Sequence, residues 1–168
     1  TSSDGLICLM GSAFDSYGNL YVVDYSGNQV FKRDLIGNVW VLSNNSILGN
    51  GHVYDGPVDV LFSKGGGLYV SSTHNPNDSQ GGIMVVDPTS GSGLGFMFMC
   101  HSLGQENDSD DCGEGEAGEV DWLACNSAGT VYLTNANAYQ GVMQLNVSAG
   151  DVVQPSFVTS LPAAPRGL

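Results

Sequence analysis

Gly18-Asn19-Leu20-Tyr21-Val22, Gly66-Gly67-Leu68-Tyr69-Val70 and Gly129-Thr130-Val131-Tyr132-Leu133 are three copies of one phrase. Each is a glycine, one intervening residue and then an apolar-Tyr-apolar run. Each follows an apolar stretch: Ser12-Ala13-Phe14-Asp15, Val58-Asp59-Val60-Leu61-Phe62 and Val120-Asp121-Trp122-Leu123-Ala124. Apolar run, glycine turn, apolar run reads as a pair of short strands joined by a tight turn. Its recurrence along one chain marks a repeat architecture.

Working outward from the phrase gives three units. The first, 9–42, predicts strands over 11–14, 20–24, 29–33 and 39–42, joined by turns rich in Asp, Ser, Asn and Gly. The second, 57–99, predicts strands over 58–62, 68–72, 83–87 and 94–99. The third runs over 120–160. Four short antiparallel strands per unit make one blade of a β-propeller, so the predicted fold is all-β with three blades. Between the second and third units lies an insertion, 100–119, carrying Glu106, Asp108, Asp110, Asp111, Glu114, Glu116 and Glu119 and no helical or strand periodicity. Residues 161–168 read as the opening of a further blade, with Gly167 matching Gly11. Propellers close with about four to eight blades. The expectation is therefore either a piece of a longer polypeptide with about six blades or two copies that complete a ring. The opening residue is Thr1, not Met, which fits a mature product or a fragment.

Composition narrows the function classes. The basic residues are Lys32, Arg33, Lys64 and Arg166, against 17 acidic ones, for a net charge of −13. Such a chain repels phosphate backbones and anionic membrane surfaces, which excludes nucleic-acid binding. No apolar run reaches the length of a membrane-spanning helix. The four cysteines, Cys8, Cys100, Cys112 and Cys125, form no C-x-x-C pair, and His52, His74 and His101 do not sit at zinc-finger spacings. An even cysteine count fits two disulfides and an oxidising compartment. Four cysteines allow three connectivities. Cys100–Cys112 closes a modest loop and is the first choice. That leaves Cys8 and Cys125, two units apart, with Cys8 alternatively bonded outside these residues. Sequons at Asn44, Asn77, Asn107 and Asn146 each fall in a predicted loop or turn, where a glycan can be attached. Together these features predict an extracellular or secreted, N-glycosylated protein.

The first unit resembles the NHL repeat through Phe14-Asp15-Ser16-Tyr17-Gly18-Asn19-Leu20-Tyr21-Val22-Val23-Asp24 and Gly27-Asn28-Gln29-Val30. The second and third units keep the Gly-x-[Leu/Val]-Tyr core, with Ser72 and Asn135 at the position of Asp24. The resemblance implies a propeller, commonly six-bladed, that binds proteins, glycans or nucleic acids on its faces. It also implies a kinship with gluconolactonase-like hydrolases and the amidating lyases of secretory granules. Those place a metal on the central axis, held by Glu, Asn, Asp or His from several blades.

Candidate sites follow from residue type and spacing. Asp108-x-Asp110-x-Cys112-Gly113-x₅-Glu119 approaches the spacing of a calcium loop, with hard carboxylate oxygens about a glycine turn. Ca²⁺ held by Asp108, Asp110 and Glu119 is one reading; a solvated acidic loop tied by Cys100 and Cys112 is the other. Asp24, Ser72 and Asn135 end the second strand of each unit. They either line a ligand site on one face or bond turn amides. The three histidines read as polar loop residues, and Tyr21, Tyr69, Tyr132, Trp122 and Phe62 as packing between blades. No G-x-S-x-G elbow is present, and spacing alone pairs no carboxylates for acid–base work. The sequence thus favours a non-catalytic extracellular scaffold that associates with itself or with further blades. A metal-dependent propeller hydrolase or lyase is the alternative. A carbohydrate-binding propeller using Tyr25 or Tyr139 is a third.

Overall fold

The computed structural model describes residues 8–49, 53–74, 82–98, 120–135, 141–148 and 151–160. Twelve strands among them form three four-stranded antiparallel sheets. Blade one is β1 (Leu9–Phe14), β2 (Leu20–Asp24), β3 (Gln29–Arg33) and β4 (Val39–Asn44). Blade two is β5 (Asp55–Phe62), β6 (Leu68–His74), β7 (Gly82–Val86) and β8 (Gly93–Phe98). Blade three is β9 (Val120–Cys125), β10 (Val131–Asn135), β11 (Gly141–Ser148) and β12 (Asp151–Ser160). Each blade follows chain order, and β5 packs between β1 and β9, so the first strands of the blades lie innermost. The all-β propeller reading stands.

The thrice-repeated glycine closes the turn between the first and second strand of each blade. Gly18, Gly66 and Gly129 have φ of 83, 88 and 89°, a region costly for any side chain. Around them one hydrogen-bond pattern recurs: Asp15, Ser63 and Asn126 donate their amides to the carbonyls of Asn19, Gly67 and Thr130.

Register adds a feature that the sequence did not display. Phe14, Phe62 and Cys125 oppose Leu20, Leu68 and Val131. The recurring Val-Asp of Val58-Asp59 and Val120-Asp121 is therefore one step out of phase, and Asp59 corresponds to Trp122. All three innermost strands carry a bulge at the same place, between Leu9 and Ser12, between Pro57 and Asp59, and opposite Leu133 and Asn135. A bulge adds one residue and re-aims the side chains around it.

Two apolar layers hold the blades together. Tyr21, Val23, Val30 and Leu42 of blade one bury against Val60, Leu68, Val70, Met84 and Val86 of blade two. The other side of blade two, through Tyr69 and Ile83, buries against Leu123, Val131 and Leu133 of blade three. The Tyr21 and Phe62 rings meet at 5.4 Å. Two of the few cations tie neighbouring blades: Lys32 Nζ donates to Pro88 O at 3.3 Å and Lys64 Nζ to Ser127 O at 3.0 Å. Ser43 Oγ donates to Gly91 O at 2.6 Å, where any side chain on Gly91 would collide with the Leu42 carbonyl.

Some expectations need correction. A one-turn helix, α1 (Asn45–Leu48), follows β4 where a loop was expected. It places Leu48 in the first apolar layer. Asn146 lies inside β11, opposite Val153, and not in a turn. Cys8 and Cys125 are not bonded to each other in the structure. Cys8 precedes β1 while Cys125 ends β9, with β5 between, so the two stand at opposite ends of non-adjacent strands. Cys100 and Cys112 lie outside the described residues, as do 161–168.

Candidate functional site

The antiparallel meander gives the three-blade segment two faces. One, the turn face, carries the β1–β2, β3–β4, β5–β6, β7–β8 and β9–β10 turns. The other, the start face, is where the innermost strands β1, β5 and β9 begin and where β2, β6 and β10 end.

On the turn face, carboxylates are consumed by local structure. Asp15 Oδ1 accepts from the Tyr17 and Asn19 amides, both at 2.9 Å, and Oδ2 from Asn19 Nδ2 and the Tyr21 hydroxyl. Asp34 repeats the arrangement with the Ile36 and Asn38 amides and Asn38 Nδ2. Asp87 accepts from the Thr89 and Ser90 amides. Burial alone would lift the Asp15 carboxyl, but the bonds from Asn19, Tyr21 and Tyr17 outweigh it and hold it below its ordinary value. Burial, reinforced by Asp15, pushes the Tyr21 hydroxyl upward.

The start face contains the predicted trio Asp24, Ser72 and Asn135, which sit at equivalent register positions opposite Leu9, Pro57 and Val120. Two of them bond backbone groups, Asp24 that of a turn and Ser72 that of a strand. Asp24 is buried, and its Oδ1 accepts from the Cys8 amide at 2.9 Å and the Gly27 amide at 3.2 Å. Ser72 Oγ donates to Asp55 O at 2.6 Å and accepts from the Asp55 amide at 3.2 Å. Asn44, the first sequon asparagine, ends β4 and caps α1, its Oδ1 accepting from the Ser46 and Ile47 amides. Asn77, Asn107, Asp108, Asp110 and Glu119 lie outside the described residues. The calcium-loop reading and two of the sequons fall there with them.

Sequence reasoning missed Asp55. It opens β5 on the start face, half-buried. Its backbone is clamped by Ser72, while Thr73 Oγ1 donates to the Gly56 carbonyl at 3.2 Å and the Gly56 amide donates to Asn28 Oδ1 at 2.9 Å. Its carboxylate, by contrast, accepts no hydrogen bond among the described residues. Each of the other aspartates with a described side chain (Asp15, Asp24, Asp34, Asp59 and Asp87) does accept at least one. His74, expected in a loop, is the last residue of β6 and stands directly opposite Asp55 in the register.

Asp59 is the other acid near the axis. It is buried, with Oδ2 accepting from the Leu123 amide of β9 at 2.9 Å and Oδ1 from the Val60 amide. Burial holds its carboxyl above its ordinary value, only partly offset by those amides. It stitches blade two to blade three and is pressed against Gly11 of blade one, where no side chain fits. Among the described residues no three His, Cys, Asp or Glu side chains converge as a metal set. The described blades do not by themselves fit the axial metal that the NHL-like resemblance implies.

No family model and no curated protein matches the chain. Solved structures do. A streptogramin B lyase is similar over 99% of this chain and 45% of its own, at 10% identity and a TM-score of 0.62. Virginiamycin B lyase from Staphylococcus aureus is similar over 95% and 44%, at 11% identity and 0.58. A gluconolactonase from Xanthomonas campestris is similar over 98% and 67%, at 13% identity and 0.51. The chain thus spans less than half the length of either lyase. These neighbours are enzymes, which corrects the expectation of a non-catalytic scaffold and brings the hydrolase-or-lyase alternative forward. At such identities the likeness carries the fold alone: the chain folds as β-propeller blades of the architecture found in those lyases and the lactonase.

Proposed function

We propose that this chain forms part of a propeller enzyme, a hydrolase or lyase, that works at the start face with Asp55 transferring the proton. The observation that carries this reading is the Asp55 carboxylate. It is half-buried, held by a clamped backbone and, among the described residues, accepts no hydrogen bond, where the other described aspartates are engaged. A carboxylate in that condition loses no described bond when it takes a proton, and the backbone that carries it is held by Ser72. His74 opposite it puts a second proton-carrying residue type at the same register step. The enzymatic neighbours support the class, and the net charge of −13 favours a neutral or cationic small molecule over a polyanion.

Two narrower readings accompany it. Blade one is an NHL-type repeat by its Asp15-to-Val30 motif. A secreted location with N-glycosylation at Asn44 follows from the sequons, and a mass shift on glycan removal tests it. For the activity itself, the chain is assayed against small lactones, gluconolactone among them, and against a streptogramin B. The expected result is turnover of at least one, with Asp55→Asn lowering kcat/KM by about 100-fold or more while the melting temperature is unchanged. Unchanged kcat/KM in Asp55→Asn, or no turnover of any, sinks the reading.

A further inference from the structure

On the start face, the β2–β3 turn of blade one meets the first residues of β5 in blade two. The turn is tied down. The Tyr25 amide donates to Cys8 O at 2.8 Å, and the Gly27 amide to Asp24 Oδ1 at 3.2 Å. From the same turn Asn28, with φ of 49°, reaches across the joint, and its Oδ1 accepts from the Gly56 amide at 2.9 Å. The Tyr25 ring closes on the same glycine. A Cβ on Gly56 would lie 2.7 Å from Tyr25 Cε2 and 3.0 Å from Cζ, so a residue without a side chain is what lets the ring rest there. Two donors are left over. The bond to Gly56 fixes Asn28 Nδ2 in place, and Nδ2 bonds to nothing among the described residues. The Tyr25 hydroxyl is also unbonded among them, on a ring that is 37% exposed. By contrast, the hydroxyls of Tyr21, Tyr54 and Tyr132 engage Asp15, Ser43 and Asn126. Both idle donors stand against Gly56, the residue after Asp55, at a joint between two blades of the chain.

We propose that Tyr25 and Asn28 hold the substrate of the Asp55 site, so that the binding site straddles the joint between blades one and two; the inference rests on Asp55 as the group that transfers the proton. The three groups narrow the ligand. A hydroxyl and an amide donor call for oxygen acceptors. The net charge of −13 opposes an anion. A cation would pair with the Asp55 carboxylate and hold it deprotonated. A neutral molecule that presents a carbonyl oxygen, an ester or a lactone, suits all three: Tyr25 O–H and Asn28 N–H donate to its oxygens, and the carboxylate stays free to take a proton. The exposed part of the Tyr25 ring adds apolar contact beside those bonds.

Binding and turnover are read separately. The binding probe is gluconolactam, a neutral carbonyl ring that resists hydrolysis, titrated into the isotope-labelled chain and followed by NMR. The Asn28 side-chain amide and the Gly56 backbone amide are expected to shift together and to give one dissociation constant. Tyr25→Phe keeps the ring and removes the hydroxyl. It is expected to raise that constant about fivefold, and to raise KM for a turned-over lactone equally, with kcat and the melting temperature unchanged. Asn28→Asp keeps an acceptor for the Gly56 amide, loses the donor and is expected to weaken binding at least as much. Tyr17→Phe, at an exposed tyrosine on the turn face, leaves both constants as they are. Asn28 and Gly56 signals that stay still, or a Tyr25→Phe variant that binds the lactam like the parent, overturns the proposal. Binding that depends on Tyr25 in a chain without turnover supports this site and sinks only the role given to Asp55. Turnover that needs Asp55 yet ignores Tyr25→Phe sinks this inference alone.

Discussion

The two faces of the three-blade segment use aspartate in opposite ways. On the turn face Asp15 and Asp34 each accept three or more hydrogen bonds, and Asp87 accepts two from amides, so these acids are parts of the turns that they occupy. On the start face Asp55 accepts none among the described residues, while its backbone is among the best-tethered there. The first arrangement fixes backbone by spending the carboxylate. The second fixes backbone by other means and leaves the carboxylate uncommitted. A group bound for chemistry needs the second.

The largest effect that separates the faces is on turnover. Asp55→Asn is expected to cost about 100-fold or more in kcat/KM and nothing in stability, whereas Asp15→Asn leaves kcat/KM unchanged in the folded protein. Parallel assays and thermal melts check both, and equal loss of activity in the two variants would erase the distinction. Next comes the support beneath the turn face. Leu68 is fully buried in the layer between blades one and two, just past the Gly66 turn. Leu68→Ala is expected to cost about 2–5 kcal/mol in denaturant unfolding, from lost transfer energy and the cavity left behind. Leu20→Ala, at the same register position in blade one but half-buried, is expected to cost about half as much in dilute solution.

A smaller effect lies in the pH dependence. Asp15 is held below the ordinary 3.8, so its contribution is complete above about pH 4 and drains away as pH falls through its folded value. Asp59 runs the other way. Its raised carboxyl contributes most below 3.8 and loses that contribution as pH rises through its higher folded value. Asp15→Asn should cost about 1–3 kcal/mol at neutral pH and flatten the acid limb of the melting curve against pH, because its Nδ2 would face the Tyr21 and Asn19 donors. An acid limb as steep as the parent's would mean that other carboxylates carry it.

Much of this fold was legible because the turn face writes itself into the sequence. Asp or Asn, two residues, then Gly is local chemistry, and the strands that it flanks, 20–24 and 29–33, came out with the boundaries that the structure has. The start face is less legible. Asp55-Gly56-Pro57 looks like a turn, yet Gly56, with φ of 63°, is already inside β5, held by Asn28 from the neighbouring blade. The bulges put Val58-Asp59 and Val120-Asp121 out of phase, so similar letters hide different places. What singles out Asp55 is the absence of a bond among the described residues, and that depends on which amides the rest of the fold brings near. His74 shows the same limit: its value lies in a register partner 19 positions back along the numbering.

The smallest effect tests how firmly the start face is seated. Tyr54, the residue before Asp55, is buried in the layer between blades one and two. Its hydroxyl donates to Ser43 Oγ at 3.1 Å, and Ser43 Oγ in turn donates to Gly91 O. Its amide donates to Asn45 Oδ1 at 2.6 Å, tying it to α1. Burial pushes the Tyr54 hydroxyl upward, so it stays a donor across the working range of pH. Tyr54→Phe keeps the ring, removes one donor and leaves Ser43 its bond to Gly91. The expected cost is about 0.5–1.5 kcal/mol, with kcat/KM unchanged. If instead kcat/KM falls with Tyr54→Phe while stability holds, Asp55 is positioned through this side chain, and the seat of the start face extends into the layer between the blades.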